Sequence, residues 1–482
     1  MGKYYVTTSI PYVNAEPHIG FALELLYADV LARYARARGE DVIFATGTDE
    51  HGGKIAEQAK TRGLSLKQHT DEISEHFRDL TKALTISNNR FIRTTDEAHE
   101  QRATEIWKRL KDDIYKGKYE GWYCVGDEAF FTETEVKANH GICPAHNRPY
   151  EKLVEENYFF SLSKYGDQIK KQIEEGSFKV VPQSRRNEIL SLLDQGLEDI
   201  SISRPKEKIS WGIPVPGSSS QVMYVWFEAL MNYITVLGFP EHEDFKLYWP
   251  ANVQVIGKDI LRFHAAIWPA MLMSLKLPLP KQLYVHGFVT AEGKKMSKSI
   301  GNVINPFDAI KPYGVDAFRY YILKYIPSYE DGDFSWERFE HAYNNELANE
   351  LGNLVQRILV MATKFIGGEI KAIPPAEHDS SQYVAALAEC RFDRALETVW
   401  EQVRGLNQYI DEEKPWEVAK TGDQEHLNEI IAYLISSIRE IADLLMPFMP
   451  LSATKISAAF KDGKIAASNA ALFPRHITSP SS

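Results

Sequence analysis

Cysteine is scarce: three residues in 482, at positions 124, 143 and 390. That is too few and too scattered for a disulfide framework, and it fits a reducing cytoplasm. Long apolar runs are missing as well. No stretch approaches the roughly 18 residues that a membrane span needs. The amino-terminal MGKYYVTTSIPYV has no basic segment followed by an apolar one, which excludes an ordinary secretory leader. Gly2 is followed by Lys3-Tyr4-Tyr5-Val6, so the Ser or Thr of a myristoylation signal is absent. Positive charge is in deficit too: 55 Lys and Arg against 66 Asp and Glu leave a net charge of −11. A general nucleic-acid binder usually shows a basic excess, so any RNA contact must be local. No internal repeat or low-complexity tract interrupts the chain before a small polar tail after Pro474. Together these absences give the expectation of a soluble, cytoplasmic protein with no membrane partner.

What is present suits a packed globular chain. Apolar residues make up 44% and charged residues 25%, and 482 residues allow two to four packed units. Tyr4–Ile10 is rich in Tyr, Val and Thr and stops at Pro11, which predicts a buried strand. From Gly20 to Arg38, Leu23, Leu26, Val30, Leu31 and Tyr34 recur at helical spacing and Gly39 supplies a stop. Asp41–Thr46 predicts a second buried strand that ends in the loop GTDEHGG. Strand, helix, strand is the opening of a doubly wound parallel sheet in an α/β protein. Between Gly117 and Lys152 the composition turns to aromatics, acids, cysteine and short turns, the mark of an inserted module. The parallel pattern resumes at Tyr248–Gly257 and Gln282–Val289. After Trp336 the chain is almost continuously amphipathic helix, which predicts a helical bundle.

Two short motifs carry chemistry. Pro17-His18-Ile19-Gly20-Phe21 lies between the first strand and its helix, where unpaired N–H groups and the helix dipole favour an anion. His18 can add a hydrogen bond to a nucleotide there, and Gly20 admits a close backbone approach. A triplet of this kind is common by chance, and a capping or core histidine is the plainer reading of His18 alone. Lys295-Met296-Ser297-Lys298-Ser299, flanked by Gly293 and Gly301, is far more specific. Two lysines on such a loop can close on the β- and γ-phosphates of ATP and neutralise charge as pyrophosphate leaves.

With both motifs in this order on a split sheet, the chain resembles the class I aminoacyl-tRNA synthetases, and within them the methionyl-tRNA synthetases along nearly its whole length. The stretches that carry the resemblance are IPYVNAEPHIG, ATGTDEHGGKIAEQA, MYVWFEALMNY, VIGKDILRFHAAIWPAML and VHGFVTAEGKKMSKSIGNVINP. It implies a Rossmann-like catalytic domain split by a zinc-knuckle insertion and followed by an all-α, helical-bundle anticodon-binding domain. The expected segments are 1–116 and 223–290 for the two catalytic halves, 117–222 for the insertion, 291–340 for the lysine loop and stem-contact region, and 341–482 for the helical domain. It implies a methionine site at Ile10, Tyr12, Asp49, Trp226, Ala229, Leu230, Tyr233, Ile260, Phe263 and His264. Polarizable sulfur packs well on aromatic edges, and the Asp49 carboxylate suits an ammonium group. Taken singly, Trp226 or Phe263 is more readily a core residue; the matching set reverses that preference. For ATP it implies Tyr12, His18, Gly20, Phe21, Glu24, Gly257, Asp259, Val289 and Lys298, with His18, Lys295 and Lys298 catalytic. Gly257 would admit a ribose and Asp259 accept its hydroxyls; a solvated helix acid is the plain reading of Glu24. Phe21 departs from the family, which usually has a second histidine there, and a phenyl ring cannot donate to ATP.

Cys124, Asp127, Cys143 and His146 have the spacing of the family's zinc knuckle, with aspartate where cysteine is usual. Four protein ligands would close the coordination sphere, giving one structural Zn²⁺ per chain, and a degenerated knuckle without metal is the alternative. The resemblance also assigns Asn353, Arg357 and Trp416 to the anticodon of tRNA(Met), where splayed bases are read by stacking and by hydrogen bonds to their edges.

The reaction so implied is attack of the methionine carboxylate on the α-phosphorus of Mg²⁺-bound ATP, followed by transfer of methionine from the adenylate to tRNA. No protein nucleophile is needed; positioning and charge stabilisation suffice. A synthetase for leucine, isoleucine or valine is the competing enzyme, but the insertion is short for the editing domain those relatives carry. A catalytically dead RNA-binding paralogue is the competing non-enzyme, and only Phe21 points to it. The chain ends soon after its helical segment, so a monomer is expected.

Overall fold

The computed structural model describes residues 2–125, 129–131, 133–296, 302–370, 379–461, 463–465 and 471–475. It divides into two compact units, Met1–Pro17 with Glu40–Thr81 and Asn88–Val285, and His18–Gly39 with Lys82–Ser87 and His286–Ser482. No helix among the described residues is long and apolar enough to cross a membrane.

The first unit is built on a six-stranded sheet. Its strands are β1 (Lys3–Thr7), β2 (Asp41–Thr48), β3 (Arg90–Arg93), β7 (Lys179–Val181), β9 (Val253–Gly257) and β10 (Gln282–His286), in the order β3-β2-β1-β9-β10-β7. The register sets Val6 beside Phe44 and Val253, Ala45 beside Arg90, and Leu283 beside Val180, all in parallel. Residues 42–48 of β2 are all buried, as a parallel strand covered on both faces must be. The expected strand 4–10 ends formally at Thr7, yet Thr8 still donates its N–H to Ala45 and Ser9 to Val255. Pro11, without an N–H, ends the ladder.

An antiparallel sheet interrupts the parallel one. It is formed by β4 (Ile114–Cys124), β5 (Ala129–Phe131), β6 (Glu151–Phe160) and β8 (Ile200–Ser201), in the order β8-β6-β4-β5. The long β4/β6 ribbon pairs Ile114 with Phe160 and Tyr123 with Glu151, so Cys124 lies at its far end. The segment 117–222 is not wholly a separate layer, since it also contributes β7 to the edge of the parallel sheet.

The second unit opens with the helix Ile19–Ala37 and ends in the helices Phe392–Glu413, Gln424–Leu445 and Pro450–Ala459. A small sheet of Val289–Ala291, Lys294–Lys295 and Gly332–Phe334 holds the backbone of Lys295 opposite Thr290. At the centre of this unit Asp29 and Arg319 meet at 2.7 Å, both side chains wholly buried. Arg319 also donates to the carbonyls of Phe448 (2.7 Å), Pro447 (2.9 Å) and Leu84 (3.0 Å). Asp29 accepts further from Arg33 Nε and from the N–H and hydroxyl of Ser87. Burial alone would raise the Asp29 pKa; Arg319, Arg33 and these hydrogen bonds outweigh it and hold the carboxyl below its ordinary range.

Arg319→Ala takes the guanidinium donors away from that carboxylate and from three carbonyls in a dry interior. We expect it to destabilise the protein by about 3–5 kcal/mol, read as a lower urea midpoint. A change below about 1 kcal/mol, the usual size for an exposed ion pair, would show that the pair contributes no more than a surface bridge.

Candidate active site

In the first unit, the loops that follow β1, β2 and β9 meet the helix Val225–Ala229. Ser9, Ile10, Asp49, Trp226, Ala229, Leu230, Asn232, Tyr233, Ile260 and His264 line a cavity of about 20 Å³. Eight of the ten residues expected for methionine are among them. The other two stand behind Trp226: Phe263 stacks on it at 4.2 Å between ring centroids, and Tyr12 meets it edge-on at 5.8 Å. Ser9 and Asn232 were not foreseen; they flank recognised residues and have no chemistry that marks them in a sequence.

A π-helical turn, Phe263–Ile267, follows a short 3-10 segment Lys258–Ile260. Such turns often occur at functional sites. Here it presents His264, whose Nε2 is 2.7 Å from the Tyr233 hydroxyl and whose Nδ1 is 3.0 Å from the Ile260 carbonyl. A carbonyl can only accept, so Nδ1 carries the proton and Nε2 accepts from the tyrosine. That fixes both side chains in the wall. Asp49 is buried and bridges in parallel to Tyr12. Gly257 is buried at the end of β9, and Asp259 is exposed one turn later.

In the second unit, His18 caps the helix Ile19–Ala37, its Nδ1 accepting from Gly20 N–H at 3.1 Å. The plain reading of a capping histidine is therefore correct and does not compete with the functional one, because Nδ1 as acceptor places the ring proton on Nε2. A Cβ at position 20 would lie 2.9 Å from His18 Cε1, so glycine is required for this cap. Phe21 is buried, 9% exposed. Glu24 is buried rather than solvated, 3.0 Å from His286 Nε2. Val289 is buried in the small sheet. Lys298 lies outside the described residues, and of Lys295 the backbone alone is described.

Asn353 is exposed at the start of the helix Asn353–Ile366. Arg357, one turn on, is held by Asp411 at 2.6 Å. Asp411 is near the end of the helix Phe392–Glu413, and Trp416, 39% exposed, begins the next helix, Pro415–Thr421. An indole so exposed, carried on a short helix, is not a core residue.

In the insertion, the donor atoms of Cys124, Cys143 and His146 all lie within 4.8 Å of one another. Both thiols are buried, and Cys143 Sγ is 3.7 Å from His146 Nδ1. A tetrahedral zinc with ordinary Zn–S and Zn–N bonds sets sulfur and nitrogen about 3.6 Å apart, so this donor set fits the metal. Asp127 lies outside the described residues.

The comparisons agree with this geometry. A family model described as tRNA synthetases class I (M) matches residues 4–152 and 145–359. A methionine–tRNA ligase of Thermotoga maritima is 43% identical over 464 residues, 93% of this chain and 73% of that protein. One of Brucella suis is 42% identical over 471 residues, covering 94% and 91%. A solved structure described as Mycobacterium tuberculosis methionyl-tRNA synthetase in complex with methionyl-adenylate superposes with a TM-score of 0.91 at 38% identity, spanning 98% of this chain and 100% of that one. A nearly complete match in sequence and in structure, together with the assembled aromatic pocket, places this chain in the methionine–tRNA ligase family of the class I tRNA synthetases.

Proposed function

We propose that this chain activates L-methionine with ATP and joins it to the 3′ end of tRNA(Met), as a cytoplasmic monomer. The observation that carries the reading is the aromatic pocket with Asp49 among its lining residues and the Tyr233–His264 pair in its wall. Its apolar surface suits a thioether, and aromatic edges favour sulfur. At about 20 Å³ it has room for roughly one water, so Trp226 and the Phe263 ring stacked on it must shift to seat the side chain.

Asp49 takes the substrate ammonium. A carboxylate oxygen of methionine attacks the α-phosphorus of ATP, the new O–P bond forms as the bond to the bridging α–β oxygen breaks, and pyrophosphate leaves. A ribose hydroxyl of the terminal adenosine of tRNA then attacks the adenylate carbonyl, and AMP leaves. His18 binds a phosphate oxygen through its Nε2–H, since the N–H groups of Ile19, Gly20, Phe21 and Ala22 already donate to Ile304 and to His18 itself, and Lys295 and Lys298 neutralise charge on the departing pyrophosphate. Gly257 and Asp259 take the ribose; Tyr12, Gly20, Phe21, Glu24 and Val289 complete the nucleotide set. Mg²⁺ would enter with ATP and supply neutralisation of the phosphate charge. Asn353, Arg357 and Trp416 read the anticodon. Cys124, Cys143, His146 and Asp127 hold a structural Zn²⁺ that keeps the knuckle folded.

Methionine-dependent exchange of pyrophosphate into ATP tests the reading. We expect methionine to support exchange at least about a hundredfold better than the other nineteen amino acids, because an aromatic, largely apolar lining favours a linear thioether over branched and polar side chains. Preference for leucine, isoleucine or valine would transfer the chain to the competing synthetases. Trp416→Ala should lower the kcat/KM for tRNA roughly ten- to a hundredfold, the worth of one stacked base, and leave exchange unchanged; a parallel loss of exchange would make Trp416 a folding residue. Elemental analysis of protein purified without chelators should find about one zinc per chain, and its absence would establish the degenerated knuckle instead.

A further inference from the structure

Beside the pocket lies a chain of buried charge that the reaction above does not use. Glu228 is wholly buried on the helix Val225–Ala229. Its Oε1 is 2.8 Å from His51 Nδ1 and its Oε2 is 3.0 Å from His99 Nε2. His99 Nδ1 is in turn 2.8 Å from the Thr235 hydroxyl. All three side chains are at most 3% exposed. None lines the cavity, yet Glu228 sits between Trp226 and Ala229 in sequence, and His51 is two residues past Asp49.

A carboxylate buried against two imidazoles costs more than an apolar cluster of the same volume unless charge is matched to charge. The surroundings show where the match lies. His51 faces Glu228 from one helix, Glu100 at 3.5 Å from another, and Asp49 on its own loop; the indole of Trp211 lies 5.4 Å from its ring. Glu50, the intervening acid, is paired with Arg93 at 2.7 Å and cancels out. Glu100 is 42% exposed, so solvent screens it.

We propose that Glu228 is a positioning residue for methionine recognition: it holds His51 as a cation and neutralises it, so that His51 does not offset the Asp49 carboxylate that takes the substrate ammonium. This rests on the methionine reading given above. The protonation balance agrees with it. Burial lowers the basicity of His51, but the Glu228 carboxylate and the hydrogen bonds to Glu100 and Glu228 more than reverse this and push its pKa up to about 10. Burial likewise acts to raise the Glu228 pKa, and His51 together with His99 overcomes it to leave the carboxyl below its ordinary range. Both groups therefore stay charged between about pH 6 and pH 9, and methionine binding should not change across that window.

Glu228→Gln keeps the shape and removes the charge. His51 is then a cation next to Asp49 at low pH, opposed by the solvent-screened Glu100 alone of its two glutamates, and neutral at high pH. In pyrophosphate exchange we expect the methionine KM of this variant to rise about tenfold at roughly pH 6 and to return toward the wild-type value by about pH 8.5. The ATP KM stays unchanged at both, and the wild-type profile is flat. Glu228→Asp, which keeps the charge, should stay flat. Glu228→Gln/His51→Gln removes both charges and should give a flat profile near the wild-type KM; it serves as the test if the single variant does not fold. A loss that is the same at every pH, an equal loss for ATP, or a pH-dependent KM in the double variant would overturn the proposal. If the unaltered chain shows no methionine-dependent exchange, the functional reading fails and takes this inference with it; if it does and Glu228→Gln matches it, this inference alone fails.

Discussion

The second unit depends on one buried guanidinium. Arg319 donates to the Asp29 carboxylate and to three carbonyls, and taking these donors away in a dry interior costs a few kcal/mol. Those partners belong to the helix Ile19–Ala37, to the segment Lys82–Ser87 and to the turn at 447–448. The helix whose first turn carries His18 and Gly20 is thus tied at its middle to residues more than four hundred positions later. Hydrophobic contact tolerates small slides between helices, whereas a set of directed, charge-assisted hydrogen bonds from one guanidinium to several segments does not. The pair therefore specifies one arrangement of these segments among the several that apolar packing alone would allow.

The first unit uses the same device differently. Its pocket is apolar where methionine's side chain would lie, but His264 and Tyr233 lock each other, and the Glu228 bridge joins the loop after β2 to the helix that carries Trp226 and Ala229. Polar contacts hold a wall whose lining is largely apolar and aromatic. The π turn is part of this economy: a single extra residue per turn aims Phe263 and His264 at positions that a regular α-helix would have rotated away.

How much of this was legible in the sequence follows from the range of each interaction. The first strand, helix and strand were readable because apolar runs and 3.6-residue spacing are local signals, and their ends came within about three residues of those observed. The pocket was readable only through its motifs; nothing in the periodicity brings residues 10, 49, 233 and 264 together. The bridge from Glu228 to His51 and His99 joins positions 177 and 129 residues apart, and no local pattern marks such a pair. The solvated reading of Glu24 failed because a helix acid facing a buried histidine looks the same in sequence as one facing water. The strand Lys179–Val181 was missed because three residues are too few to show a period, and the π turn because its spacing differs little from that of an α-helix.

The order of the parallel sheet also governs how the chain reaches this state. β1 is bonded on one side to β2, some forty residues later, and on the other to β9, with Val6 beside Val253. At ordinary rates of synthesis, about 5–20 residues per second, the partner for that second side emerges on the order of ten to fifty seconds after the first strand. During this interval a short strand rich in Tyr and Val has one open row of N–H and C=O groups, the surface on which chains pair wrongly with one another. Closing the sheet also demands a loop of nearly 250 residues, the kind of distant pairing that slows folding most. A chain interrupted before residue 253 is therefore an aggregation hazard and not half an enzyme.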